Sequence, residues 1–173
     1  MPLTTPIHTT GRAKTEIVAL IGWLILCFTV AGIGATASIE APAFYASLQK
    51  PSWAPSASVF GPVWTVLYAM MGVAAWLVWR ERRMHRNRVP TAIAWFLIQL
   101  ALNAAWSWVF FVWHQGELAV LDIALLWIAL AITVNTFLRI RVAAGLLLLP
   151  YLAWVTFATA LTIAVWHHNP ELL

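Results

Sequence analysis

The chain has 173 residues, of which 62% are hydrophobic and 9% charged, with a mean hydropathy of +0.83. A soluble globular domain is about 45–50% apolar and about 25% charged, so this surface cannot be clothed in water and the chain must dissolve in lipid. A net charge of +4 and a pI near 9.8 suggest nucleic acid as a partner, a reading that the placement of the charges excludes.

A short tail, 1–16, carries Arg12 and Lys14 and precedes the first apolar run, 17–39. A signal-peptide core is only about 7–15 residues long, so this run reads as a retained span, long enough for the roughly 20 residues that a membrane helix needs. The lone Cys27 lies within it, which excludes an internal disulfide and leaves a small core hydrophobe. Next comes "QKPSWAPSASVFGPVWTVLY", residues 49–68. Pro51 and Pro55 stiffen it as a loop, and Gly61-Pro62 suits the first turn of a helix.

The second span, 60–79, places Trp64, Tyr68, Met71 and Ala75 on one face and ends in "RERRMHRNR". In the third, 91–113, Gln99, Asn103, Trp106, Ser107 and Phe110 share a stripe at about 100° per residue. Polar groups at membrane depth usually face the bundle interior. Gln99 and Asn103 are therefore either interhelical glue or the wall of a cavity. The opposite face carries Ala94, Ala101 and Ala105, and small residues at such spacing let helices approach. This face is expected to pack against another helix, the same helix of a second subunit. The fourth span, 118–138, holds Asp122 near its start. That carboxylate is either an interfacial first-turn residue favoured by the helix dipole or an orienting group beneath the loop. The fifth, 143–166, sets Tyr151, Trp154, Ala158 and Thr162 in nearly one stripe, with Pro150 beginning or bending it. A short tail, 167–173, follows, so the chain reads as one all-α membrane domain, 17–166, between two tails. Short links after the second, third and fourth spans predict sequential antiparallel neighbours.

Nine of the ten Lys and Arg residues fall on one side of five alternating spans, and Lys50 alone on the other. This is the positive-inside pattern. It predicts a cytoplasmic N-terminus, with the first loop and the C-terminus across the membrane. The arginines then meet anionic headgroups, and nucleic acid drops out. The twelve Trp divide into two groups. Trp79, Trp113 and Trp166 sit at span ends, as an aromatic belt does. Trp64, Trp106 and Trp154 sit deeper, on the faces just described, and with Trp53 on the loop they suggest an apolar cavity with Trp53 as its roof. No catalytic grouping and no metal-ligand set is visible; His8, His85, His114, His167 and His168 all lie outside the spans. No inverted repeat of the kind found in many transporters is evident.

"KPSWAP…FGPVWTVLY", "NAAWSW", "LDIALLW" and "LPYLAWVTFATAL", in this order, resemble the translocator protein family (TspO/MBR, the tryptophan-rich sensory proteins) across nearly the whole chain. The resemblance implies a five-helix membrane bundle, often a homodimer, with no obligatory cofactor. It implies a ligand that is a porphyrin or haem-related tetrapyrrole, held under the loop between the first two spans. The family's pocket positions match Tyr45, Trp53, Trp64, Asn103, Trp106, Trp154 and Ala158, with Asp122 at an acidic position. The function implied is sensing, sequestering or translocating tetrapyrroles, with light- and oxygen-dependent porphyrin degradation, using pocket Trp residues, as the alternative. Two features depart from the family. "LTIAVWHHNPELL" has no Tyr followed by Lys or Arg, which counts against cholesterol binding, and Thr162 replaces a frequent Asn. The short N-terminal tail matches a bacterial member, and with it an inner-membrane location.

Overall fold

A computed structural model describes residues 9–173, with side chains from Lys14 onward; His8 and the side chain of Arg12 lie outside the described residues. Six helices follow one another: α1 Thr9–Ala37, α2 Ala41–Ser47, α3 Phe60–Arg80, α4 Arg88–Phe111, α5 Gly116–Ile140 and α6 Val142–His168. All but α2 are long and apolar enough to cross a membrane. In a bilayer every backbone polar group must be satisfied internally, which is why an apolar chain of this length resolves into uninterrupted helices. α1 begins eight residues before the apolar run, because Thr9–Glu16 continue the helix beyond the hydrocarbon. Pro150 lies inside α6 and does not begin it.

The five long helices close into a ring in which α1 packs on α3, α3 on α6, α6 on α5, α5 on α4 and α4 on α1. The sequential-neighbour expectation therefore holds for α4, α5 and α6 but not for α3 and α4. Four residues, 112–115, join α4 to α5, and Arg141 alone joins α5 to α6, which forces those pairs side by side. The longer link at 81–87 lets α1 come between α3 and α4, and these two face one another across the ring.

One end of the bundle is tied by polar contacts at the arginine-rich side. Arg80 pairs with Glu16 at 3.0 Å, and the Trp76 indole N–H donates to the Glu16 carbonyl at 3.0 Å. Arg141 pairs with Glu81 at 2.8 Å. Arg80 also lies over the Trp76 ring and Arg82 over the Trp79 ring, 4.7 and 3.3 Å from their centroids. This is how a guanidinium and an indole share a membrane interface.

Near the middle of α3, α1 and α3 meet at Gly72, where an added Cβ would lie 2.8 Å from Leu24 Cδ2 and 3.2 Å from Leu24 Cα. The second contact is with backbone, which cannot swing away. Gly72→Val is expected to lower stability by about 1–3 kcal/mol through overpacking. Thermal unfolding in detergent checks this, and an unchanged midpoint would mean that α1 is free to shift outward.

A candidate ligand cavity

Toward the other end the helices stand apart and enclose a cavity of about 500 Å³, within the range of about 300–1,000 Å³ typical of small-molecule sites. Its floor is built on a hydrogen-bonded triad. The Tyr68 hydroxyl on α3 donates to Asn103 Oδ1 on α4 at 3.0 Å, and Asn103 Nδ2 donates to the Tyr151 hydroxyl on α6 at 2.5 Å. Tyr68, Asn103 and Tyr151 are 4%, 5% and 0% exposed. Helical spacing then lifts an aromatic from each helix above the triad: Trp64 one turn before Tyr68, Trp106 one turn after Asn103, Trp154 one turn after Tyr151. Trp64 leans on both tyrosines, with ring centroids 5.7 Å from Tyr68 and 6.0 Å from Tyr151. Trp106 stacks on Phe110 at 5.0 Å, and Trp154 meets Phe60 edge-on at 5.8 Å.

Tyr45, Trp64, Tyr68, Asn103, Trp106, Trp154 and Ala158 all line this one cavity, as does Thr162. Trp53 and Asp122 do not. Trp53 is 49% exposed and its ring lies edge-on to Phe157 at 5.7 Å, and Phe157 in turn packs on Trp154 at 5.5 Å. It therefore props the wall from outside instead of roofing the cavity. Asp122 is set on α5, which contributes no residue to the lining; its Oδ2 is buried and has no hydrogen-bond partner. Gln99, fully buried one turn below Asn103, also lies outside the lining, with Nε2 4.0 Å from Met71 Sδ. This is a weak contact from α4 to α3, and Gln99 Oε1 is buried without a partner.

The roof is α2, which sequence periodicity missed because seven residues are too few to carry a pattern. Ala41, Pro42 and Tyr45 of α2 line the cavity. The Tyr45 hydroxyl donates to the Pro55 carbonyl at 3.0 Å and its ring meets Phe60 at 5.7 Å. Burial pushes the Tyr45 phenol above its ordinary value of 10.0. The neutral, donating form is thus favoured in the folded state. That contribution is present below about pH 10 and is lost as pH rises through the folded value. Phe44 stacks on His114 with centroids 4.1 Å apart, and His114 adopts φ 50° to reach it. Lys50 turns back on the end of α2, donating to the carbonyls of Tyr45 at 2.5 Å and Leu48 at 2.8 Å. Asn169, beyond α6, clamps the following loop: its Oδ1 accepts from Gln49 N at 2.8 Å and its Nδ2 donates to Gln49 O at 2.9 Å and Val165 O at 2.7 Å. The contribution of α1, through Phe28, Ala31, Gly34 and Ala35, with Ser38 just beyond it, was also invisible in the sequence, since α1 has no polar stripe to show which face turns inward.

Among the described residues the lining contains no Asp, Glu, His, Lys or Arg. Its polar character comes from hydroxyls, the Asn103 amide and indole N–H groups. The Nε1 atoms of Trp106 and Trp154 are buried without a partner, and buried donors are usually paired. Asn103→Leu would strip both tyrosine hydroxyls of their partner. It is expected to destabilise the bundle by about 1–3 kcal/mol, more than Tyr68→Phe, which removes one interhelical bond of about 0.6 kcal/mol on average. Unfolding titrations in mixed micelles check the order, and equal losses would mean that Asn103 is not the hub.

The model of the TspO/MBR family matches residues 21–167. The chain is 39% identical to the tryptophan-rich protein TspO of Chlorobaculum tepidum over 160 residues, 90% of this chain and 98% of that one. It is 41% identical to the translocator protein of Homo sapiens over 126 residues, 73% of this chain and 75% of the relative. It is 32% identical to the tryptophan-rich sensory protein of Cereibacter sphaeroides over 151 residues, 85% and 92% of the two chains. Five membrane-spanning helices and a family match running through all of them establish the chain as a multi-pass integral membrane protein that belongs to the TspO/MBR family.

Proposed function

We propose that this protein binds a tetrapyrrole, protoporphyrin IX or a haem-related macrocycle, in the cavity beneath α2, and acts through that binding as a sensor, a sequestering protein or a translocator. The observation that carries the reading is the wall itself. Aromatic rings from α3, α4 and α6 surround a space of about 500 Å³ that contains no charged side chain among the described residues. A flat, apolar π-system gains most from such a wall. The unpartnered indole N–H groups of Trp106 and Trp154 supply donors for acceptor atoms on the macrocycle or its side chains. The names of relatives, a sensory protein and translocator proteins, are consistent with ligand binding as the common step.

Titration with protoporphyrin IX, followed by quenching of Trp emission, tests this. Trp64→Ala or Trp154→Ala is expected to weaken binding about tenfold or more. A lost stacking aromatic costs about 0.5–1.5 kcal/mol beyond its area, and tenfold is about 1.4 kcal/mol. Trp79→Ala, whose ring lies under Arg82 at the opposite end, should leave the affinity unchanged. An equal loss at Trp79 and Trp154 in folded proteins would put the ligand elsewhere.

We also propose that the protein pairs with a second copy through the back of α4. Ala94, Ala101 and Ala105 are exposed there, with Leu97 and Ile98 42% and 45% exposed beside them. Small residues flanked by larger ones suit close helix packing in lipid. Ala101→Leu with Ala105→Leu is expected to shift the protein from dimer to monomer in light scattering, and an unchanged dimer fraction would move the interface to another face.

A further inference from the structure

We infer that the cavity takes its ligand sideways from the bilayer, through a window between α1 and α3, and not from water through the roof. This rests on reading the cavity as a ligand site. It adds that the ligand is a molecule already dissolved in the lipid.

Three observations converge on the window. First, lining residues of α1 and α3 are exposed toward the lipid, the other exposed lining residues being Pro42 and Ala57 at the roof. Phe28 lines it and is 42% exposed, and Ala35, Gly61 and Thr65 line it and are exposed as well. On the far wall Asn103 and Thr162 are only 5% and 3% exposed. Second, among the described residues no polar contact holds this side shut. The contacts that join α1 to α3, Arg80 with Glu16 and Trp76 with the Glu16 carbonyl, lie at the opposite end. Near the window each hydroxyl is satisfied within its own segment: Thr65 on the Gly61 carbonyl, Thr36 on Ile33 and Ser38 on Gly34. The rim is therefore apolar, and a Cβ added at Gly61 would meet nothing within 4 Å. Phe28 sits about 13 Å from the roof-side end of α1 at 1.5 Å per residue. That depth is within the hydrocarbon.

Third, the roof is fastened on several sides. The Asn169 amide grips Gln49 through both backbone groups, Lys50 closes the end of α2, Tyr45 bonds to Pro55, and Phe44 stacks on His114. Lifting α2 would break all of these together. Admitting a flat apolar molecule between α1 and α3 breaks no hydrogen bond and only exchanges lipid contact for contact with the cavity wall.

The window can be tested without a tetrapyrrole. In a Cys27→Ala background, Ala158→Cys places a thiol on the far wall, and the protein is studied in lipid nanodiscs. Pyrene maleimide, flat and dissolved in the bilayer, is expected to label it, whereas a sulfonated, water-confined maleimide reacts slowly. Adding Ala35→Phe and Thr65→Phe at the rim should slow pyrene labelling about tenfold or more, with the helical circular dichroism retained and sulfonated labelling still slow. Asn169→Ala, which frees the roof, should change the pyrene rate less than about twofold. The inference is overturned if the Phe pair leaves labelling unchanged, or if Asn169→Ala accelerates it and the Phe pair does not slow it. Failure of protoporphyrin IX to bind the parent chain would remove the tetrapyrrole reading and leave this result standing.

Discussion

Asn103 holds two tyrosine hydroxyls at once, one donated to its carbonyl oxygen from α3 and one accepting from its amide on α6. No water competes for these groups at membrane depth, so a helix that turned away would leave a buried amide or phenol without a partner. The triad therefore sets the rotation of three helices together. Rotating α4 by one residue, about 100°, would carry Asn103 off the shared axis and Trp106 with it. The aromatic wall above the triad follows from this, because Trp64, Trp106 and Trp154 each sit one turn from a member of it.

The two ends of the ring differ in how closely the helices approach one another. One turn below Tyr68, Gly72 allows α1 against α3, and at the arginine-rich end Arg80 and Trp76 tie to Glu16 across the joint. At the roof end, rings as large as Trp64, Phe60 and Trp154 occupy the facing positions and hold the backbones apart. The cavity lies there, beneath a roof whose polar groups satisfy one another. The same residue type does different work at the two depths. Trp79 lies under a guanidinium at the interface, and Trp106 presents an unpartnered N–H inside.

Membrane residence, the number of spans and the inward faces of α3, α4 and α6 were legible in the chain. Lipid imposes a length of about 20 apolar residues per span and penalises each polar group that faces it. Gln99, Asn103 and Tyr68 could therefore be assigned to the interior from spacing alone, and the structure buries all three. The order of the ring was not legible. Link length constrains neighbours only when it is as short as Arg141 alone, and the link at 81–87 left room for α1 to come between α3 and α4.

The roof shows the limit most clearly. Prolines announced that residues 49–56 were stiff, but not what they covered. Trp53 looked like a lid and turned out to brace Phe157 from outside, while the short helix carrying Tyr45 closes the cavity. Asn169 gave no local signal at all, because its partner Gln49 lies 120 residues away in the chain. Sequence by itself determined which groups must avoid lipid, since that penalty acts on each residue separately. Only the tertiary structure decided which of those groups meet, because a hydrogen bond or a ring contact depends on the positions of two segments that no local pattern relates.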